Sequence, residues 1–428
     1  MKRVIFLIIA IILATATVAE ARIYIPIDQP SEMKFPIAIA DLQRNKGSRS
    51  VARDVAEIIR NDLKLSGYFL VIPPDRFKNQ ARKEGVTESD INFPYWKSIN
   101  AQALIKGEVT KESGRTVITM RLFDPFLGKM LIGKRYKGRK KQWRELAHRF
   151  ADEVMSALTG IRGVFNTRIA YSTVTKKGKE IAVMDMDGFA EKQLTKNKSI
   201  NISPTWSPDG KQLIFTSYLH GNPDLYMIKV GGKRLKRITK GPGGKLTPNW
   251  SPDGDSVAMA SSAGGIANIY TMLPSGKDID RLTKGKAIDI SPTWSPNGST
   301  LAFASERAGG LHLFKMNKQG KGIKRLTYVG YQNDMPSWSA LNDRIAFAGR
   351  VRGKFDIFTI NPDGSNLQRL TINAGSNEHP SFSPDGRFIT FSSTRTGEPA
   401  VYIMRRDGSN QTRITKENGI LPSWGPQR

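Results

Sequence analysis

Four histidines, no cysteine and a scatter of acids are what this 428-residue sequence offers for acid–base or nucleophilic chemistry. His148, His220, His312 and His379 stand far apart, and none falls in the HExxH or HxH spacing that aims two ligands at one zinc ion. No G-x-S-x-G elbow presents a serine nucleophile. Met184-Asp-Met-Asp-Gly188 starts like a calcium loop, but its third acidic ligand and closing glutamate are missing, and an Asp-Gly turn explains it better. Without cysteine, thiolate metal sites and disulfide staples are excluded. The residues predict no catalytic constellation, no metal and no cofactor. What remains is recognition.

Polar residues suited to recognition sit in loops that recur on a fixed beat: Asn201, Lys245, Asp289, the run Tyr331, Gln332, Asn333 and Asp334, and Asn377, Glu378 and His379. Each group stands just before a Pro-x-Trp or Pro-x-Phe motif. The ring residues Trp206, Trp250, Trp294, Trp338, Phe382 and Trp424 are 44, 44, 44, 44 and 42 residues apart. Thr195, Thr239, Thr283, Thr327, Thr371 and Thr415, each preceded by Leu or Ile, keep a constant interval of 44. Repeats of about 40–45 residues, each rich in short strands, are the mark of β-propeller blades.

Six second strands can be counted, from Arg168-Ile-Ala-Tyr171 to Phe388-Ile-Thr-Phe391. The first unit lacks a Pro-x-Trp, and the segment Leu421 to Arg428 supplies one with nothing after it. The C-terminal strand is therefore expected to complete the first blade and close a six-bladed β-propeller over residues 168–428. The Trp, Ser and Asp-Gly of the repeat are expected to be scaffold. The loops before each proline should emerge on one face, around the channel mouth. Asn333 and Asp334 are expected to be replaceable there without loss of folding.

Ahead of the propeller, Lys2 and Arg3, the apolar run Val4 to Leu13 and the small residues after it read as a signal peptide over 1–19, with cleavage after Ala19 or Ala21. No other apolar run approaches membrane length, so no direct membrane span is expected. Residues 20–35 form an N-terminal arm with strand-like alternation broken by Pro26 and Pro30. Such an arm either adds itself to a partner's open sheet edge or pairs with its own domain. Residues 36–160 read as an α/β domain, with a helix from Ser50, strands near Tyr68, Ala103, Thr116 and Met130, and a second helix ended by Gly160. Residues 161–167 form an elbow whose Ile161, Val164 and Phe165 can pack. The formal charge of +28 comes from lysines and arginines scattered along turns and strand ends. That pattern reads as a solvated basic surface on an exported protein, or as one drawn to an anionic envelope surface or an acidic partner protein, not as a nucleic-acid interface.

Several of these stretches together resemble the TolB family of the Tol-Pal system. They are Glu20-Ala-Arg-Ile-Tyr-Ile25, Pro36-Ile-Ala-Ile39, Asp62-Leu-Lys-Leu-Ser-Gly-Tyr-Phe69, the elbow Leu158-Thr-Gly-Ile-Arg-Gly-Val-Phe165, Thr167-Arg-Ile-Ala-Tyr171 and the six repeats. The repeats alone are common to many propellers; with the N-terminal stretches they are highly specific, and the resemblance spans essentially the whole chain. It implies a periplasmic, non-enzymatic adaptor serving outer-membrane integrity and invagination during cell division. A Pal-like peptidoglycan-associated lipoprotein would bind the channel-mouth loops. A TolA-like inner-membrane protein would bind the arm residues Glu20, Ala21, Arg22, Ile23, Tyr24, Ile25, Pro26, Ile27 and Asp28. The alternatives are an exported propeller that binds glycan and a peptidase-associated module.

Overall fold

The computed structural model describes residues 34–44, 49–139, 142–232 and 234–428. The signal peptide and the arm from Glu20 to Asp28 lie outside them. The N-terminal elements are β1 (Phe35–Ile39), β2 (Gln43–Arg44), α1 (Arg49–Leu65), β3 (Phe69–Val71), α2 (Lys78–Lys83), α3 (Phe93–Ser98), β4 (Ala103–Glu112), β5 (Arg115–Asp124), β6 (Lys129–Gly138) and α4 (Trp143–Thr159). The sheet runs β3-β1-β4-β5-β6, with β2 on the far part of β4. The strand β1 is parallel to β3 and β4, and β4, β5 and β6 form an antiparallel meander.

In α1, Val51, Val55, Ile58, Ile59 and Leu63 fall on one stripe and are buried against Phe150, Val154 and Leu158 of α4 on one sheet face. Both helices end at glycines in the left-handed region, Gly67 (φ +76°) and Gly160 (φ +72°). The stretch after Pro74, which reads as merely polar in sequence, folds into α2 and α3 on the opposite face. Phe77 and Trp96 there pack on Ala38, Leu104 and Phe123. Glu84 ties this layer down: it accepts from Trp96 Nε1 (3.0 Å), Asn92 N (3.1 Å) and the buried Lys106 Nζ (3.1 Å). At six residues each, these helices are too short to show a period.

The remainder forms six four-stranded antiparallel sheets, the blades of a propeller. Blade 2 runs outward through Asn201–Trp206, Gln212–His220, Asn222–Lys229 and Leu235–Arg237. Blades 3 to 6 start from inner strands Lys245–Trp250, Asp289–Trp294, Asn333–Trp338 and Asn377–Phe382. Blade 1 consists of Arg168–Thr175, Gly178–Asp185 and Lys192–Gln193, with the C-terminal strand Gly419–Trp424 as its inner member. That strand pairs antiparallel to the first, Gly419 opposite Thr173 and Trp424 opposite Ile169, and so closes the ring.

Each repeated residue has a visible task. The ring of one blade packs on the blade before it: Trp206 on Ala170, Ile181 and Val183, Trp294 on Ala258 and Ile269, Phe382 on Ala346 and Ile357. Indole nitrogens cross the same joints, Trp206 Nε1 to the Ser423 carbonyl (3.1 Å) and Trp294 Nε1 to that of Asn249 (3.3 Å). The Oγ1 of each marker threonine accepts a third-strand N–H at 2.8–2.9 Å and so holds the short fourth strand in place.

The two domains share one apolar core. Residues of α1 and α4, the elbow's Val164 and Phe165, Ile169 and Met184 of blade 1, Val401 of blade 6 and Trp424 all belong to it. The tail beyond Trp424 continues beneath the α/β domain. Gln427 Nε2 donates to the Gly163 carbonyl (2.8 Å) and to Asp152 of α4 (3.2 Å), and Arg428 Nη2 donates to Asp185 (2.8 Å).

Candidate functional site

Every inner strand has a residue at positive φ just before its proline: Ser203, Thr247, Ser291, Met335, His379 and Leu421, at 48–57°. The strand pairing slips at this point in all six blades. Residues before proline normally take extended conformations, and a left-handed side-chain-bearing residue costs about 1–2 kcal/mol. The ladders on either side hold the distortion. These six residues, with the prolines and the residues after them, line a central channel of about 140 Å³. The distortion lies along the channel wall.

At the channel mouth the polar residues picked out from sequence divide into three groups. Asn201, Lys245, Asp289, Asn333 and Asn377 open the inner strands instead of lying in loops, and they are buried. Asn201 Nδ2 donates to Glu180 Oε2 (3.0 Å) and Asn377 Nδ2 to Asp356 Oδ1 (3.2 Å). Lys245 Nζ donates to the carbonyls of Gly241, Pro242 and Gly243 (2.8–3.0 Å) and lies 3.4 Å from Asp224. Asp289 accepts from Arg307, and Asn333 Nδ2 donates to the Val329 carbonyl (3.0 Å). Asn201, Lys245 and Asn377 thus bind across blade joints, whereas Asp289 is tied within its own blade. Asn333 and Asp334, expected from sequence to be replaceable without loss of folding, are both buried.

Asp334, Glu378 and His379 follow on the inner strands, and of these His379 lines the channel. Burial raises the Asp334 carboxyl, against the Met335 N–H that it accepts, and the nearby Glu378 adds to the rise. Glu378 accepts from Ser376 Oγ (2.8 Å). His379, half-buried by surface but enclosed by the inner strands, is pushed down to about 4 by burial and is neutral at physiological pH. Its Nδ1 lies 3.1 Å from Ser392 Oγ, whose hydroxyl donates to the Glu378 carbonyl (3.0 Å), so the serine proton is not directed at the imidazole. This arrangement orients groups without activating a nucleophile.

The exposed member is Tyr331, and Gln332 beside it is half-buried. Tyr331 is 75% exposed, and Tyr328 (71%), Ile372 (61%) and Val329 (58%) stand on the same rim. The Arg325 guanidinium lies 4.8 Å from the Tyr328 ring. Tyr328, Val329 and Ile372 were not singled out from sequence; the readable signal was an apolar Tyr-Val-Gly-Tyr run inside a turn.

A second cluster lies between the domains. His148 Nδ1 of α4 is 2.7 Å from Asp62 Oδ2 of α1, and its Nε2 is 3.9 Å from Asp185 and from Asp187 of blade 1. The Arg144 guanidinium sits among them, 3.1 Å from His148 Nε2, 3.0 Å from Asp185 and paired with Asp187. Although Asp62, His148 and Asp187 are close enough to share a cation, Arg144 already supplies that charge.

Comparison with known proteins agrees with this architecture. The family described as TolB beta propeller domain matches residues 155–428, and the TolB amino-terminal domain matches residues 23–131. The Tol-Pal system protein TolB of Desulfosudis oleivorans is 37% identical over 229 residues, 53% of this chain and 52% of that protein. The corresponding protein of Hydrogenovibrio crunogenus is 35% identical over 239 residues, 54% of each. The chain thus spans about half the length of the curated relatives it matches. The crystal structure of TolB from Acinetobacter baumannii superposes with a TM-score of 0.80 at 23% identity, over 92% of this chain and 97% of that one.

Proposed function

The chain belongs to the TolB family, and on that premise we propose that it is a periplasmic, non-enzymatic adaptor of the Tol-Pal system. In this reading the channel-mouth face binds a Pal-like peptidoglycan-associated lipoprotein. The arm Glu20 to Asp28 binds a TolA-like inner-membrane protein, and the adaptor serves outer-membrane integrity and the inward movement of that membrane at division. The observation that carries the reading is the rim itself: Tyr328, Val329, Tyr331 and Ile372 stand exposed around a rigid channel. Exposed aromatic and aliphatic side chains on a fixed scaffold are what a partner surface needs. Among the described residues no helix is long and apolar enough to cross a membrane, consistent with partners providing the anchorage.

The test is capture from the native envelope fraction in mild detergent. The full-length protein should recover a Pal-like lipoprotein, and its absence would sink the reading. Tyr331→Ala should weaken capture about tenfold or more, as removal of a central aromatic anchor does, with the melting temperature unchanged. Deleting residues 20–28 should remove the TolA-like partner and spare the lipoprotein.

A further inference from the structure

Four blades carry an aromatic pair on adjoining second and third strands, and what covers the pair differs among them. In blade 4, Phe303 and Phe314 have ring centroids 6.2 Å apart, and the Arg307 guanidinium lies 5.3 and 5.2 Å from them. Arg307 Nε donates to Ser305 Oγ (2.8 Å), and Nη2 donates to the two Asp289 carboxylate oxygens (2.8 and 2.9 Å). Blade 6 repeats this seat. Phe391 and Tyr402 are 5.8 Å apart, and Arg395 lies 5.4 and 4.6 Å from their centroids. Its Nε donates to Ser393 Oγ (2.9 Å) and its Nη2 to Asn377 Oδ1 (2.9 Å). In blade 2 a histidine does the covering, His220 stacking on Tyr226 at 6.1 Å.

The interval of 44 carries each part of the seat into blade 5, where Phe347, Phe358 and Asn333 stand at the matching positions. Val351 replaces the arginine and Gly349 the serine. Phe347 and Phe358 lie 5.6 Å apart, and beside them is a cleft of about 290 Å³ that Asn333, Gly349 and Val351 also line. Asn333 Oδ1, the counterpart of the oxygens that receive Arg307 and Arg395, accepts from no donor among the described residues. Arg369 beside the cleft donates to Asp356 through Nε (3.1 Å), and the occupied seats of blades 4 and 6 have Arg325 and Arg413 at the same position. Arg369 is therefore no bar to occupancy, and Arg350, which also lines the cleft where blades 4 and 6 have Glu306 and Thr394, donates to Gln332 Oε1 (3.3 Å).

We propose that this vacant seat is a socket for an arginine side chain of a partner polypeptide, received at the channel mouth beside Val329. The proposal rests on the reading of that rim as a partner surface and names the chemistry it selects. A guanidinium is flat, stacks on the two rings and donates in plane to Asn333; an ammonium matches only the charge.

The experiment follows backbone amides of the isotope-labelled full chain by NMR during titration with acetyl-Gly-Arg-Gly-amide and its neutral citrulline counterpart. The arginine peptide should shift Gly349 and Val351 in the ~1–20 mM range expected of a single stacked cation. The citrulline peptide should bind about fivefold more weakly or worse. Val351→Arg should fill the seat from within and abolish the response. Equal responses to both peptides, or an undiminished response in a folded Val351→Arg protein, would overturn the proposal. Should that variant fail to fold, Asn333→Asp recreates the acceptor of blade 4 and should tighten the arginine peptide roughly threefold or more; a folded variant without tightening counts against the socket. Lipoprotein capture, measured separately, keeps the two readings apart. Peptide binding without capture removes the partner and leaves the socket, while capture without peptide binding does the reverse.

Discussion

At the scale of single residues, the repeated tryptophans are structural. Trp294 is buried on blade 3 and its indole nitrogen reaches the Asn249 carbonyl, so Trp294→Ala should cost about 3–5 kcal/mol. Urea unfolding would measure this, and a loss below about 1 kcal/mol would remove the packing role. The tryptophans were legible because their spacing is a count and needs no knowledge of contacts. The polar residues at the mouth were not. Asn377 and Tyr331 both precede a Pro-x-ring motif, yet one is buried and the other exposed. What separates them is a partner distant in sequence: Asn377 meets Asp356, 21 residues earlier, and Asp289 meets Arg307, 18 residues later. A loop residue that greets solvent and one that caps a strand look alike until the strands are laid side by side. The vacant seat in blade 5 could be found only by combining both kinds of information.

At the scale of elements, the closing strand is the most informative. It was legible because the first unit lacked a Pro-x-Trp and the last segment supplied one. Removing Leu421 to Arg428 uncovers the first strand of blade 1 and breaks the Trp424 bond to Thr167 Oγ1 (2.8 Å). The truncated protein should melt well below the intact one, or fail to fold; an unchanged thermal midpoint would refute closure. The helices α2 and α3 were illegible for a different reason. Fewer than two turns give no repeating stripe, and their burial depends on Trp96 meeting β1 and β4. Likewise, the six distorted residues before the prolines violate the local preference of their own sequence. Only the paired sheet reveals why they tolerate it.

At the scale of the whole molecule, the interdomain cluster makes stability depend on pH. Burial pushes the Asp62 carboxyl up to about 7, although attraction to His148 opposes the rise. Burial alone would lower His148, but the Asp62 carboxylate outweighs it and holds the imidazolium above its ordinary range. Both groups thus bind protons more tightly in the folded protein than in the unfolded chain, with Arg144, Asp185 and Asp187 facing them from α4 and blade 1. Their stabilisation is present on the acid side and is lost as pH rises through about 7. The melting temperature should therefore fall between roughly pH 4, where a free carboxylate ionises, and about pH 7, where Asp62 does, and Asp62→Asn should flatten that slope. A profile identical in both proteins would dissociate the cluster from the effect. None of this was visible in sequence, where His148 reads as one charged-neighbour residue in a helix. Its partners lie on either side of it in the chain: Asp62 meets it when α1 packs on α4, and Asp187 only when blade 1 docks on the α/β domain.

The place where the ring closes has a consequence for how the protein comes apart. The seam lies directly under the α/β domain, and the residues that finish it also hold the elbow and α4: Gln427 on Gly163 and Asp152, Arg428 on Asp185. An opened ring loses the floor on which the domain rests, and a displaced domain loses the clasp on the ring. Closure and docking therefore form a single cooperative equilibrium. Calorimetry should record one transition in which both domains melt together, and a destabilising mutation at the seam should lower the stability of the α/β domain along with that of the ring.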